Sequence, residues 1–313
     1  MFRCYRAVYP ASVRGTVEHV YGASLRISGL KGASPAAPVI FRGGAIAIIT
    51  DLWHNDTVSA VLVSGHVEAR EAAVLAPAPF DIVAGPGLLG RVVDPLGRPL
   101  DGLGCIDHVA ATAAWNPLEL APPPQRAVPL LRGVESAHIT ERASVRAALP
   151  CGRPLFDAFS PLVRGSCAAI VGSSHSLATE HALRTVRAVA AVNAARAARR
   201  RTGWVSDDED DAVPPTRCVY VCIGSSLAVQ RGIVRSLRSS GAMAWTTVIA
   251  APMAHAWDTT PSSSASSAAS LAVGASYLAP YAGAAIAEHW ARCGGHTLVV
   301  YDDLGDHTHA ARA

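Results

Sequence analysis

Residues 171–179 read Val-Gly-Ser-Ser-His-Ser-Leu-Ala-Thr, after an apolar run at 167–171 and before a helix-like segment. A phosphate-binding loop, G-x-x-x-x-G-K-[ST], belongs at such a place. Its backbone N–H groups cradle phosphates, its lysine reaches the β/γ-phosphates and its hydroxyl ligates magnesium. Here Gly172 and Thr179 fill the first and last positions, while Leu177 replaces the second glycine and Ala178 the lysine. Ser173, Ser174 and Ser176 offer hydroxyls to a phosphate. His175 replaces a lysine poorly, because an ordinary imidazole is mostly neutral at pH 7.

Magnitudes set the consequence. A charge-assisted hydrogen bond contributes about 1.5–3 kcal/mol, so losing the lysine costs roughly one to two decades of affinity. Leucine forced into a left-handed backbone adds about 1–2 kcal/mol of strain. Either the loop takes another shape or the grip weakens further, although a helix N-terminus still favours an anion. The expected ligand is ATP or ADP with Mg2+, bound weakly or not at all.

Asp302 is the second residue with chemistry. It ends the apolar run Leu-Val-Val-Tyr at 298–301, and a carboxylate there faces the mouth of a parallel sheet, where open α/β folds bind ligands. It reads as a magnesium ligand acting through water, or as a strand-end cap. Thr179 likewise reads as a magnesium-ligating hydroxyl or as an early polar helix residue. Asp303 reads as structural, bonding to the following turn.

These residues need a scaffold, and the pattern supplies one. Residues 15–85 contain short alternating runs (16–20, 24–27, 45–49, 60–63) separated by Gly and Asn/Asp turns, which predicts a small barrel or sandwich. Residues 86–143 form a junction and connector, with proline-rich 117–129 extended. From 144 to 313, strand runs at 167–171, 218–223, 246–250 and 297–301 alternate with helical segments at 179–193, 227–238 and 282–292. Continuous apolar strands with intervening helices predict a mainly parallel sheet covered on both faces. The runs Arg199 to Arg201 with Asp207 to Asp211, and the Ser/Ala stretch 262–270, read as inserted surface loops.

Composition narrows the classes. Half of the 313 residues are hydrophobic and 16% are charged, which excludes a disordered chain. A net charge of +3 gives no basis for a nucleic-acid partner. Seven widely spaced cysteines with no CxxC pair predict reduced, buried thiols. No apolar run reaches the roughly 18 residues of a membrane span. Residues 1–14 carry three arginines and no acid, which suits a short targeting segment or an ordinary basic tail.

Four segments in order carry a family resemblance. Gly-Arg-Val-Val-Asp-Pro-Leu-Gly-Arg-Pro-Leu-Asp-Gly at 90–102 resembles the junction between barrel and nucleotide-binding domain in rotary ATPase subunits. Cys-Val-Tyr-Val-Cys-Ile-Gly at 218–224 resembles the strand after the P-loop helix. Tyr-Leu-Ala-Pro-Tyr at 277–281 and Tyr-Asp-Asp-Leu at 301–304 are similar to the alpha subunit of the F-type ATP synthase. The resemblance implies a small N-terminal β-barrel followed by an α/β P-loop NTPase (RecA-like) domain. It also implies a ring shared with the beta subunit and other ring subunits, with membrane association only through that complex. It assigns Gly172, Ser173, Ser174, His175, Ser176 and Thr179 to nucleotide, and Thr179 and Asp302 to magnesium. It implies a mitochondrial, plastid or bacterial energy-coupling complex, and a mitochondrial location, on the matrix side of the inner membrane, is the expectation attached to it.

Three departures qualify the resemblance. The loop lacks its lysine and second glycine. Ser225 and Ser226 stand where family members carry a glutamine and basic residues. The sequence stops at Ala313, so the C-terminal helical domain and the arginine that reaches the neighbouring site are expected to be absent. The primary expectation is a non-catalytic alpha-type subunit; the alternative is a diverged paralogue serving as a binding or assembly module outside the ring. An active ATPase of the related secretion or termination families is disfavoured by the missing lysine.

Overall fold

The computed structural model describes residues 13–54, 56–76, 81–106, 126–130, 145, 147–172, 177–201, 214–251 and 265–312. The basic start, the acidic run at 207–211 and loop residues 173–176 lie outside them.

Alternating apolar residues form six antiparallel strands: β1 (Arg14–Tyr21), β2 (Ser24–Ser28), β3 (Pro38–Phe41), β4 (Ile46–Leu52), β5 (Val58–Ser64) and β6 (Ala72–Leu75). They close into a barrel in the order β1-β2-β5-β4-β3-β6, which leaves no strand edge to solvent. Val17, Leu25, Ile27, Val39, Phe41, Ile49 and Leu62 fill the interior. The four expected strands are present. β3 and β6, only four residues each, lacked a sequence signal and are defined by their partners.

A short antiparallel pair follows, β7 (Asp81–Ala84) with β9 (Arg126–Pro129), so the end of the proline-rich connector is a strand. Between them β8 (Val92–Val93) pairs in parallel with β13 (Thr246–Ala250) and edges the second sheet. The 90–102 motif is therefore a clamp holding β8. Arg91 donates from Nε and Nη2 to Asp101 at 2.6 and 3.0 Å, and Asp101 also accepts from the N–H groups of Val92 and Leu103. Asp94 accepts from the Leu96 and Arg98 N–H groups and from Arg98 Nε.

The Asp101 side chain is 1% exposed. Burial raises its pKa, but hydrogen bonds from Arg91, Leu103 and Val92 and the Arg91 charge outweigh that and leave it below the ordinary carboxylate value. A depressed carboxyl stabilises the fold above its unfolded pKa of about 3.9 and loses that contribution as pH falls through the folded value. Asp101→Asn is expected to cost about 3 kcal/mol in urea denaturation at pH 7, by stranding Arg91. It should also flatten the stability loss below about pH 4; parallel pH profiles for the two proteins would refute this assignment.

A small pair, β10 (Ala148–Leu149) with β11 (Leu162–Val163), brackets the short helix α1 (Pro154–Phe159). The second sheet has the order β14-β12-β13-β8, with β12 (Thr216–Cys222) and β14 (His296–Asp302) parallel to β13. Every β12 residue is buried. Cys218, Tyr220 and Cys222 face α2 (Ala178–Arg201) and α3 (Leu227–Ser239) through Leu183, Val186, Ile233 and Leu237. Val219, Val221 and Ile223 face α4 (Ala265–Arg292) through Leu278, Ala282, Ile286 and Trp290. α4 also reaches the barrel, where Leu271 packs against its core. Each fully buried large side chain contributes about 1.5–3 kcal/mol. The sheet is thus covered on both faces, as its apolar strands require. After β14 the described residues add only α5 (Leu304–Arg312).

Several expectations change. α4 starts at Ala265, inside the Ser/Ala stretch read as a loop, and continues through Pro280; packing on two layers overrides weak local propensity. Arg199 to Arg201 end α2 rather than opening a loop. Of the six described cysteines, Cys151, Cys218 and Cys222 are buried but Cys105, Cys167 and Cys293 are exposed. The largest difference concerns residues 167–171, which form no strand and are exposed throughout. Ile170 is 52% exposed and Val171 94%. Apolar composition made the run a strand candidate, but a strand exists only where a neighbour takes up its hydrogen bonds. No helix of the described residues is long and apolar enough to cross a membrane.

Candidate nucleotide site

β12 leads through α3 to β13 on one side, whereas α4 carries the chain from β13 back to β14 on the other. The crevice at the C-terminal ends of β12 and β14 is the point where these connections diverge, the usual ligand position in open α/β sheets. Ile223 N donates to the Asp302 carbonyl at 2.7 Å, tying the two strand ends together.

Three elements meet there. Thr179, in the first turn of α2, donates from Oγ1 to Asp302 Oδ1 at 3.0 Å. Tyr220, in the middle of β12, donates from its hydroxyl to Asp302 Oδ2 at 2.7 Å. Burial first, then the Asp302 charge, drives the Tyr220 pKa far upward, so the phenol stays protonated and donates. Asp303 Oδ1 accepts from the Gly305 N–H at 2.8 Å, the turn role expected of it.

The neighbouring loop is equally fixed. Ser226 caps α3 by accepting from Val229 N, and Gln230 Nε2 donates to the Ser225 and Ala251 carbonyls. Gly224 sits at φ 63°, and a Cβ there would fall 2.2 Å from Asp306 Oδ2. Only glycine meets both the left-handed backbone and that approach.

Of the residues expected to bind, Thr179 and Asp302 are brought together over 123 positions. Gly172 is described and exposed. Ser173, Ser174, His175 and Ser176 lie outside the described residues. Leu177 is 67% exposed. Sequence reasoning missed two contributors. Tyr220 was legible only as a strand residue, although its period-two phase with Cys218 and Cys222 places it toward α2. Glu180, paired with Arg187 at 3.4 Å, sets a negative charge in the first turn of α2. It complements the helix dipole itself and opposes a bound phosphate.

The chemistry that fits is limited. A hydroxyl and a carboxylate side by side suit a divalent cation, since Mg2+ is commonly held by one or two side-chain oxygens plus substrate phosphates. Each carboxylate oxygen keeps a lone pair free after accepting one hydroxyl. For the phosphates there remain Gly172 and the first-turn N–H groups of α2, which an α-helix leaves without partners inside the helix. Among the described residues no group of three or more His, Cys, Asp or Glu side chains could hold a metal alone.

Comparison with known proteins agrees with this geometry. A family model described as ATP synthase alpha/beta family, nucleotide-binding domain, matches residues 152–313. The chain is similar to the ATP synthase subunit alpha of Frankia alni, 32% identical over 92% of this chain and 44% of that protein. It is also similar to that of Leifsonia xyli, 32% identical over 95% and 46%, and that of Mycobacterium avium, 30% identical over 96% and 46%. The chain thus spans less than half the length of these relatives. They are actinobacterial proteins, which overturns the expected mitochondrial location, since such relatives give it no support and bacteria have no mitochondria. On the match to more than half of its length, the chain belongs to the ATP synthase alpha/beta family.

Proposed function

We propose that this chain is an alpha-type, non-catalytic component of a proton-transporting ATP synthase, with weak or lost binding of Mg-ATP or Mg-ADP. The supporting observation is a site that retains the Thr179–Asp302 pair while carrying alanine at the lysine position and Glu180 beside the helix start. The pair can hold a cation against a phosphate, and the missing charge removes most of the grip. In this reading the partners are the beta subunit and other ring subunits, with membrane contact only through the complex.

Two measurements test it. Calorimetric titration of the isolated protein with Mg-ATP is expected to show no micromolar binding; a micromolar dissociation constant would sink the loss of grip. In native gels the tagged chain is expected to migrate with the beta subunit, and its failure to do so removes the ring reading. A second reading, an assembly module outside the ring, draws on the edge of β14 that no strand covers among the described residues.

A further inference from the structure

α4 ends at Arg292, and the turn after it closes on its own main chain. Cys293 N donates to the His289 carbonyl at 3.2 Å, Gly294 N to that of Ala291 at 3.0 Å, and Gly295 N to that of Trp290 at 3.1 Å. These bonds take up carbonyls that a helix end leaves open, and Gly294 at φ 82° supplies the left-handed residue such an ending uses. Residues 289 and 293 stand one turn apart, so their side chains share a face.

On that face a thiol meets an imidazole. Cys293 Sγ lies 4.0 Å from His289 Nε2. His289 is only 7% exposed, so packing holds the ring, whereas Cys293 is exposed and open to a reagent. Nothing lies within 4 Å of the place where a Cβ on Gly294 would stand, which leaves space beside the thiol.

The other described cysteines lack this combination. Cys151, Cys218 and Cys222 are buried, and burial pushes all three thiols up, Cys218 to about 12. Cys105 and Cys167 are exposed, but among the described residues neither has an imidazole within hydrogen-bond reach. The thiolate is the reactive form, so a neighbouring base decides which exposed cysteine reacts. His289 lies in the last turn of α4, where the helix dipole favours an imidazolium. The same field opposes a bare thiolate, so the proton has to stay on the adjacent ring.

We propose that Cys293 is a modification site that exchanges with small disulfides, with His289 as its base. In the Nδ1–H tautomer, His289 takes the thiol proton at Nε2. The Cys293 sulfur attacks one sulfur of the disulfide; a new S–S bond forms as the reagent's own S–S bond breaks. The leaving sulfur keeps the bonding pair, takes the proton from the imidazolium and departs as a thiol. The disulfide is the oxidant and Cys293 is what it oxidises. The adduct stands three residues before His296, which opens β14, the strand that ends at Asp302.

The test treats the whole chain at pH 7 with 2-hydroxyethyl disulfide, whose lack of charge removes electrostatic attraction as a cause, and maps the products by peptide mass spectrometry. In the folded chain Cys293 is expected to form the mixed disulfide at least about ten-fold faster than Cys167. In urea, where the turn is lost, the two rates should become equal. His289→Phe should bring Cys293 down to the Cys167 rate and leave Cys167 unchanged; His289→Gln replaces it if the phenylalanine variant does not fold. Equal rates in the folded parent, or a ratio that persists in urea, would overturn the site. An undiminished Cys293 rate in the folded variant would overturn His289 as the base.

Discussion

Leu177→Gly combined with Ala178→Lys is expected to tighten Mg-ATP binding about 100-fold relative to the parent chain. The lysine supplies one charge-assisted hydrogen bond to the terminal phosphates, about 1.5–3 kcal/mol, or one to two decades. Glycine at 177 matters separately. Leu177 is exposed, and a leucine held in the left-handed backbone that the motif's glycine allows costs about 1–2 kcal/mol. Ala178→Lys alone should therefore gain less than the pair, because Leu177 still carries that backbone cost. Titration calorimetry on the two single variants and the double variant measures the coupling. An unchanged affinity in the double variant would mean that the Thr179–Asp302 pair and Glu180, not the missing lysine, set the limit.

Gly274→Val is expected to cause the largest loss of stability among single changes in α4. A Cβ at Gly274 would lie 1.9 Å from the Leu62 carbonyl oxygen and 3.1 Å from Val63 Cα. Both are main-chain atoms of β5 in a closed barrel, so no rotamer relieves the clash. Overpacking against side chains costs about 1–3 kcal/mol, and main-chain contact puts this site at the top of that range. A loss of about 3 kcal/mol corresponds to a fall in melting temperature of roughly 6–12 °C. Gly232 in α3 is the control, because nothing lies within 4 Å of a Cβ there. Gly232→Ala should leave stability equal or raise it by up to about 1 kcal/mol. Melting of Gly274→Val at the parent temperature would show that the α4–β5 seam has more play than this geometry admits.

Gly274 also shows how the two layers are joined. α4 lays Leu278, Ala282, Ile286 and Trp290 on the sheet and Leu271 on the barrel core, so one helix sets the position of the barrel relative to the site. Its apolar half carried a helical signal in the sequence. Its Ser/Ala half did not, since serine is as frequent in loops and caps as in helices.

Much of the candidate site was legible for a related reason. Thr179 and Asp302 stand at ends of elements whose periodicities are local: the 3.6-residue pattern after 178 and the apolar run before 302. Both residues could be named from those patterns and from the fixed spacing of the loop motif. Tyr220 could not, because a tyrosine within an apolar strand reads as core. Its hydroxyl acquires a role only when β14, 82 residues away, brings Asp302 to 2.7 Å.

Composition, period and motif spacing thus determined the elements that carry their own signal: the longer barrel strands, β12 and β14, the helices that flank them, and the spacing of a phosphate-loop motif with alanine at its lysine position. Tertiary structure alone decided which strands acquire partners. It made strands of the four-residue runs β3 and β6 by closing the barrel, and it left residues 167–171 off the sheet although their composition matches that of a buried strand. A helix satisfies its hydrogen bonds within itself, whereas a strand depends on a neighbour that its own residues do not specify.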